Sequence, residues 1–302
     1  MANASFALGA SEVTEAENES ASARRRRIFT GPGLVLPAIG IAAFFSLVPL
    51  VYLVIVSLTP NKEFFFADPP YNFDNYRTIW SRYMPHVYTT IRLSVLSSLM
   101  DLVFGYPFAY ILVRRVRYRE LVRTMMTFPL FGPLYLAYGI YYVLLPNGPF
   151  NSVFEFVNVS GRDLLFNYSQ FWVVFGLAVF TFPFMVMNIG TALTNVDPML
   201  EEAASALGAK SFQTFVRVLF PLSWGGILAG FLMCFGWNIG VFVPSLLLGS
   251  TNEQRILALT LQQKGLSQSD YGLATAMGVV LMVIAFVVTW VSLRFSRGAL
   301  GA

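Results

Sequence analysis

Six stretches of this 302-residue chain are predominantly apolar for roughly 20 residues or more, the length a helix needs to cross the hydrocarbon core of a bilayer. They run from about 33 to 58, 88 to 113, 122 to 146, 168 to 193, 217 to 248 and 272 to 293. A chain so built predicts an all-α membrane protein with six transmembrane helices. Composition agrees: charged residues are 12% of the chain, against roughly 25% in soluble domains, and apolar residues are 56%. The fifth stretch is too long for one straight helix, and Gly225, Gly226, Gly230, Gly236, Gly240 and Pro244 are the residues expected to break or bend it.

Residues 1–23 are small, polar and acidic, with too little apolar surface to offset the entropy of ordering. The block Arg24-Arg25-Arg26-Arg27 follows, so residues 1–27 read as a disordered tail ending in a basic anchor, and 28–302 as the membrane domain. The first apolar run exceeds a signal-peptide core and lacks a small-residue cleavage site, which predicts an uncleaved membrane helix. Counted over alternating sides of six spans, Lys and Arg number 13 on the side of the tail and 6 on the other, which predicts cytoplasmic N- and C-termini.

The net charge of +4 is too small for a nucleic-acid footprint and is explained by basic loops facing lipid. The single cysteine, Cys234, cannot form an internal disulfide. His86, the single histidine, is expected in an outer loop and cannot build a Cys/His metal site. No H-E-x-x-H or G-x-S-x-G occurs, which argues against an intramembrane enzyme.

The connection between the fourth and fifth spans, about 194–216, differs from the others. Asp197 is suited to cap a helix and Pro198 to open it, since the first helical N–H needs no partner. Glu201 and Glu202 fall in the first turn, where the helix dipole favours negative charge, and Gly208 can take the left-handed conformation that ends a helix. Leu200, Ala203, Ala204 and Leu207 follow an i, i+3, i+4, i+7 spacing and predict one face of small and medium side chains. Ser211 is expected to cap a second short helix, with Phe212, Phe215, Val216 and Leu219 on one face. From spacing alone, this helix-turn-helix is either a surface element or a connector packed on its own membrane helices.

Glu202-Ala203-Ala204, three residues, Gly208, nine residues, then Val218-Leu219-Phe220-Pro221 resembles the EAA signature of the membrane subunits of binding-protein-dependent ABC importers. Only Val218 and Phe220 depart from the signature, and both remain apolar. The resemblance implies the type I ABC importer permease architecture, placed as a multi-pass protein in the cell inner membrane. Its cytoplasmic coupling helix would contact an ATPase subunit through Glu201, Glu202, Ala203, Ala204, Leu207 and Gly208. The chain carries no G-x-x-x-x-G-K-[ST] phosphate loop, so this chain would bind no cofactor and ATP with Mg would belong to the partner ATPase. Further implied partners are a second, paralogous permease subunit, an extracytoplasmic solute-binding protein and membrane lipids, with no nucleic acid.

Within that family, Gly105-Tyr106-Pro107-Phe108-Ala109-Tyr110 with Arg114-Arg115, Leu36-Pro37, and Asp270-Tyr271-Gly272 resemble spermidine/putrescine-type permeases. The segment Phe128-Pro129-Leu130-Phe131-Gly132-Pro133-Leu134-Tyr135 departs from them, lacking the serine and arginine usual there. Six residues are candidates for a translocation pathway: Asp101, Tyr138, Tyr142, Asn188, Trp237 and Asn238. Asp101 would attract a cationic solute, hydrogen-bond to a neighbouring helix or pair with Arg92, though nine residues of separation on one helix disfavour the last, since a charge in hydrocarbon is costly. The tyrosines would either hold a cation against their faces or pack between helices. The rival to an ATP-driven importer is an ion- or proton-coupled secondary transporter that needs no ATPase.

Overall fold

The computed structural model describes residues 32–60, 70–145, 168–249 and 255–299. The tail with its arginine block and the loops around Lys62 and Arg162 lie outside the described residues. All regular structure among the described residues is helical. The chain divides into two compact units, Met1–Ile55 and Val56–Ala302.

Helix α1, Pro32–Ser57, supplies the described part of the first unit and carries Pro37 and Pro49 in its interior. Large apolar side chains such as Ile39, Phe44, Phe45 and Val51 are exposed along it. A helix apolar all round is suited to lipid or a protein partner rather than water.

The second unit is built on three helices: α2, Asp74–Arg114; α5, Ser169–Thr194; and α8, Trp224–Gly240. They pack mutually around Tyr106, Ala109, Met185, Ile189, Ile227 and Cys234. Close approach of α5 and α8 depends on Gly226 and Gly230, one turn apart. A Cβ on Gly226 would lie 2.4 Å from the Ala192 Cβ and 2.8 Å from the Asn188 carbonyl oxygen. This is the small-residue spacing that lets membrane helices approach by van der Waals packing where no hydrophobic force drives them together. The sequence offered these two glycines as break points; they instead sit inside a continuous helix.

The long fifth stretch does break, at Ser223 and, as expected, at Gly240. Helix α7, Ser211–Leu222, meets α8 at an angle of 71°, and α8 stops at Gly240 before the short α9, Val243–Leu248. The third stretch is also discontinuous, against expectation. It divides into α3, Arg119–Met126; a 3₁₀ turn, Phe128–Phe131; and α4, Pro133–Leu144. Pro129 and Pro133 cannot donate backbone hydrogen bonds, so the helical ladder is interrupted. At 1.5 Å per residue, the 12 residues of α4 fall well short of a bilayer core of about 30 Å.

Helix α2 begins well before the apolar run that announced it. Its first part includes Asp74, Arg77, Arg82 and His86, polar residues that a hydropathy reading assigns to a loop, and a π-helical turn at Ile79–Tyr83. His86 is therefore helical, with Nδ1 2.7 Å from the Thr260 hydroxyl on α10, Leu257–Gln262. Ile79, Tyr83 and Val87 pack there against Leu257 and against Leu273 and Met277 of the last helix, α11, Tyr271–Ala299. Four helices among the described residues are long and apolar enough to span a membrane, and a fifth span results if α7 and α8 count as one bent crossing.

Candidate functional site

Helix α6, Pro198–Ala206, occupies the segment singled out between α5 and α7. The Asp197 side chain accepts the Met199 N–H at 2.9 Å, capping the N-terminus, and Pro198 follows as the first helical residue. At the other end Gly208 has φ +83°, the left-handed region that side chains disfavour. That turn lets the Gly208 N–H reach the Ser205 carbonyl and the Ala209 N–H reach the Ala204 carbonyl, both at 3.0 Å. This double bond pattern is a Schellman stop, and it satisfies carbonyls the helix end would otherwise leave open. The second helix starts one residue earlier than expected: Lys210 is the cap position, its N–H donating to the Gln213 side chain at 2.9 Å, and Ser211 is already helical.

The outward face of α6 keeps Leu200, Ala203 and Leu207 of the predicted one and extends to Met199. Met199, Ala203 and Leu207 form an exposed i, i+4 row with Glu202 beside them, and Leu207 is 89% exposed. Ala204 is half-buried, and Leu200 remains exposed. Glu201 turns back into the protein. Its carboxylate pairs with the Arg114 guanidinium at the end of α2, Nε to Oε1 2.8 Å, and accepts the Tyr110 hydroxyl on Oε2 at 3.0 Å. On α7 the predicted aromatic face also splits. A π-helical turn at Phe215–Leu219 shifts the register. Phe215 then packs edge-on to Tyr106 at 5.0 Å and Leu219 is buried, while Phe212 and Val216 stay exposed.

The six pathway candidates separate into three places. Asp101 and Asn238 are each about 1% exposed and belong to one buried network joining α2, α5 and α8. The Thr181 hydroxyl donates to Asp101 Oδ2 at 2.7 Å, and the Asn238 amide donates to the Ser97 hydroxyl at 3.1 Å. Cys234 donates its thiol to the Thr181 carbonyl at 3.4 Å. Of the roles open to Asp101, interhelical hydrogen bonding is the one this arrangement displays. Its other oxygen, Oδ1, has no hydrogen-bond partner among the described residues. Asp101 also borders an apolar cavity of about 310 Å³ with Phe104, Phe175, Val179 and Pro183. Thr181 escaped the sequence reading because a threonine inside an apolar helix commonly returns its hydroxyl to its own backbone, as this one also does to Leu177.

Asn188 and Trp237 share the surface where α5 meets α8. Trp237 stacks on Phe184 at 5.7 Å with planes 5° apart and stands edge-on to Phe180, yet 47% of it remains exposed. Asn188 donates its amide to the Phe184 carbonyl at 2.8 Å. Tyr138 and Tyr142 are exposed on α4, one turn apart and away from the buried network.

A family model described as binding-protein-dependent transport system inner membrane component matches residues 101–300, which include Asp101, Thr181 and Asn238, α6 and the bent α7–α8 pair. The chain belongs to that family. Among its relatives, the spermidine/putrescine transport system permease protein PotB of Escherichia coli (strain K12) is 26% identical over 270 residues, covering 87% of this chain and 97% of that one. Solved structures share the fold. One chain of a bacterial ABC transporter involved in the import of the acidic polysaccharide alginate superposes with a TM-score of 0.73 at 21% identity, covering 90% of this chain and 96% of that one. A chain of the bacterial alginate transporter in complex with its alginate pentasaccharide-bound periplasmic protein gives 0.72 at 20% identity, covering 90% and 95%. As a family member, this chain is an inner-membrane, multi-pass permease subunit of an ABC importer, with ATP hydrolysis assigned to a separate subunit.

Proposed function

We propose that this permease subunit takes a small organic cation of the polyamine class from an extracytoplasmic binding protein and passes it to the cytoplasm, driven by an ATPase subunit seated on α6. The observation that carries the docking role is the construction of α6. It is a nine-residue helix stopped sharply at both ends, presenting an exposed row of Met199, Ala203 and Leu207 that the other described residues leave uncovered. Small Ala203 permits close approach, and Glu202 beside it offers a charge for a basic or hydrogen-bonding group. In this reading Mg²⁺ and ATP are held by the ATPase subunits, and a second permease subunit completes the pathway.

Six crossings follow if α3, the 3₁₀ turn and α4 together make one broken span, which with the basic-residue asymmetry puts both termini in the cytoplasm. The likeness to PotB supports the polyamine class, as do the exposed aromatic faces of Trp237 and of Tyr138 with Tyr142, since such faces attract cations.

The test is affinity purification of the tagged chain from its native membrane in mild detergent, followed by mass spectrometry and an ATPase assay. The expected result is a co-purifying ATPase that is lost when Glu202 and Gly208 are both replaced. A chain that purifies without ATPase in several detergents would return α6 to the role of an internal connector. Uptake of labelled spermidine by cells expressing the complete system, abolished by omitting this chain, tests the solute class separately.

A further inference from the structure

The geometry points to Arg114 and Tyr110 as positioning residues that tie the coupling-type helix to the membrane core and carry its movement into α2. Arg114 stands at the end of α2 and reaches two other elements at once. Its Nη2 donates to the Val196 carbonyl, just past the end of α5, at 2.8 Å, and its Nε meets Glu201 on α6 at 2.8 Å. Tyr110, one turn earlier on α2, donates to the second oxygen of the same carboxylate. Both oxygens of Glu201 are thus engaged from α2, and the ion pair is largely enclosed, with 15% and 18% of the two side chains exposed.

Packing beside this contact is thin. A cavity of about 450 Å³ lies next to it, lined by Tyr106, Pro107, Glu201, Ser205, Phe212 and Phe215. Across that gap, α6 is held to α2 by the polar contacts rather than by a filled interface. Glu201 lies on the opposite side of α6 from the exposed Met199, Ala203 and Leu207, so a push on that row is delivered to Arg114 and Tyr110. Further along, α2 is locked to α5 and α8 through Asp101, Thr181, Asn238 and Ser97. Removing the strut leaves both caps of α6 intact, because neither Asp197 nor Gly208 takes part in it. The helix would persist with its angle to α2 released.

This inference rests on the docking reading, and the experiment separates the two. Hydrogen–deuterium exchange is followed over 197–208 and over 108–116 in the full chain in lipid nanodiscs, and again in the complex with its ATPase with and without ATP. In the chain alone, Arg114→Glu and Glu201→Gln are expected to speed exchange in α6 by about tenfold, the factor that 1.4 kcal/mol corresponds to. In the complex, ATP is expected to alter exchange in both segments of the unsubstituted protein, and in α6 alone in the variants. The double swap Arg114→Glu with Glu201→Arg remakes the ion pair but neither the Val196 nor the Tyr110 hydrogen bond, so it restores part of the response at the end of α2, and Tyr110→Phe, a milder change that keeps the ion pair, gives an intermediate loss. A response at 108–116 that survives charge reversal, or a double swap that restores none of it, overturns the strut. Absence of ATPase from the preparation overturns the docking reading instead, and the strut is then decided by exchange in the chain alone.

Discussion

Replacing Gly226 with alanine adds a single methyl group where α8 comes hard against α5, and the structure sets the size of the consequence. The new Cβ would sit 2.4 Å from the Ala192 Cβ and 2.8 Å from the Asn188 carbonyl oxygen. Carbon atoms in contact prefer about 3.5–4.0 Å, so the helices must separate by roughly 1 Å or more at this point. Neither obstacle is the free end of a flexible side chain: one is a Cβ and the other is backbone. Overpacking of this kind costs about 1–3 kcal/mol, and the rigidity of the site favours the upper part of that range. Gly225 is the control, because a Cβ there meets nothing within 4 Å.

The chain supplies its own reporter. Cys234 is the one cysteine, fully buried between α5 and α8, and it reacts with a thiol-specific dye only when the bundle opens. A melt in mild detergent followed by that dye is expected to show Gly226→Ala lowered by several degrees, at roughly 2–4 °C per kcal/mol for a domain of this size, and Gly225→Ala unchanged or raised. Pairing Gly226→Ala with Ala192→Gly removes the Cβ contact and leaves the carbonyl contact, so partial recovery is expected. Equal melting of the Gly226 and Gly225 variants would refute the close-packing argument.

Substitutions at three further residues have expected outcomes. Gly208→Val forces a β-branched residue into the left-handed region, at a cost of about 1–2 kcal/mol or more, and should abolish ATPase recovery while membrane insertion, measured by fractionation, is unchanged. Gly208→Asn, which tolerates that region better, should retain part of the recovery. Leu207→Asp changes a side chain that is 89% exposed, so its melt should match the unsubstituted chain while co-purification of ATPase falls; a full complement of ATPase would count against the exposed row as a docking face. Asp101→Ala removes the acceptor of the Thr181 hydroxyl and should lower the melt by the equivalent of about 1 kcal/mol, as intramembrane hydrogen bonds commonly do, whereas Asp101→Asn keeps an acceptor and should melt nearer the unsubstituted protein.

Much of this protein was written in short-range sequence signals. Apolar length alone established a helical membrane protein, because a bilayer leaves the backbone no other way to bond along a single segment. Asp197, Pro198 and Gly208 placed both ends of α6, because capping is decided within four residues of each end. The spacing from Glu202 to Pro221 carried the family resemblance for the same local reason.

What tertiary structure decided is how the elements face one another. Helical spacing groups Leu200, Ala203, Ala204 and Leu207, yet Ala204 is half-buried and the predicted contact residue Glu201 turns inward, because Arg114, some 87 positions before Glu201, draws that carboxylate toward the protein. The same holds for Asp101, whose choice between solute and neighbour depends on Thr181 and Asn238, brought together from two distant helices. Gly226 and Gly230 read as flexible points in one dimension and become contact points only once α5 lies against α8. Length and capping are properties of a segment, but the side a helix presents is a property of what packs against it.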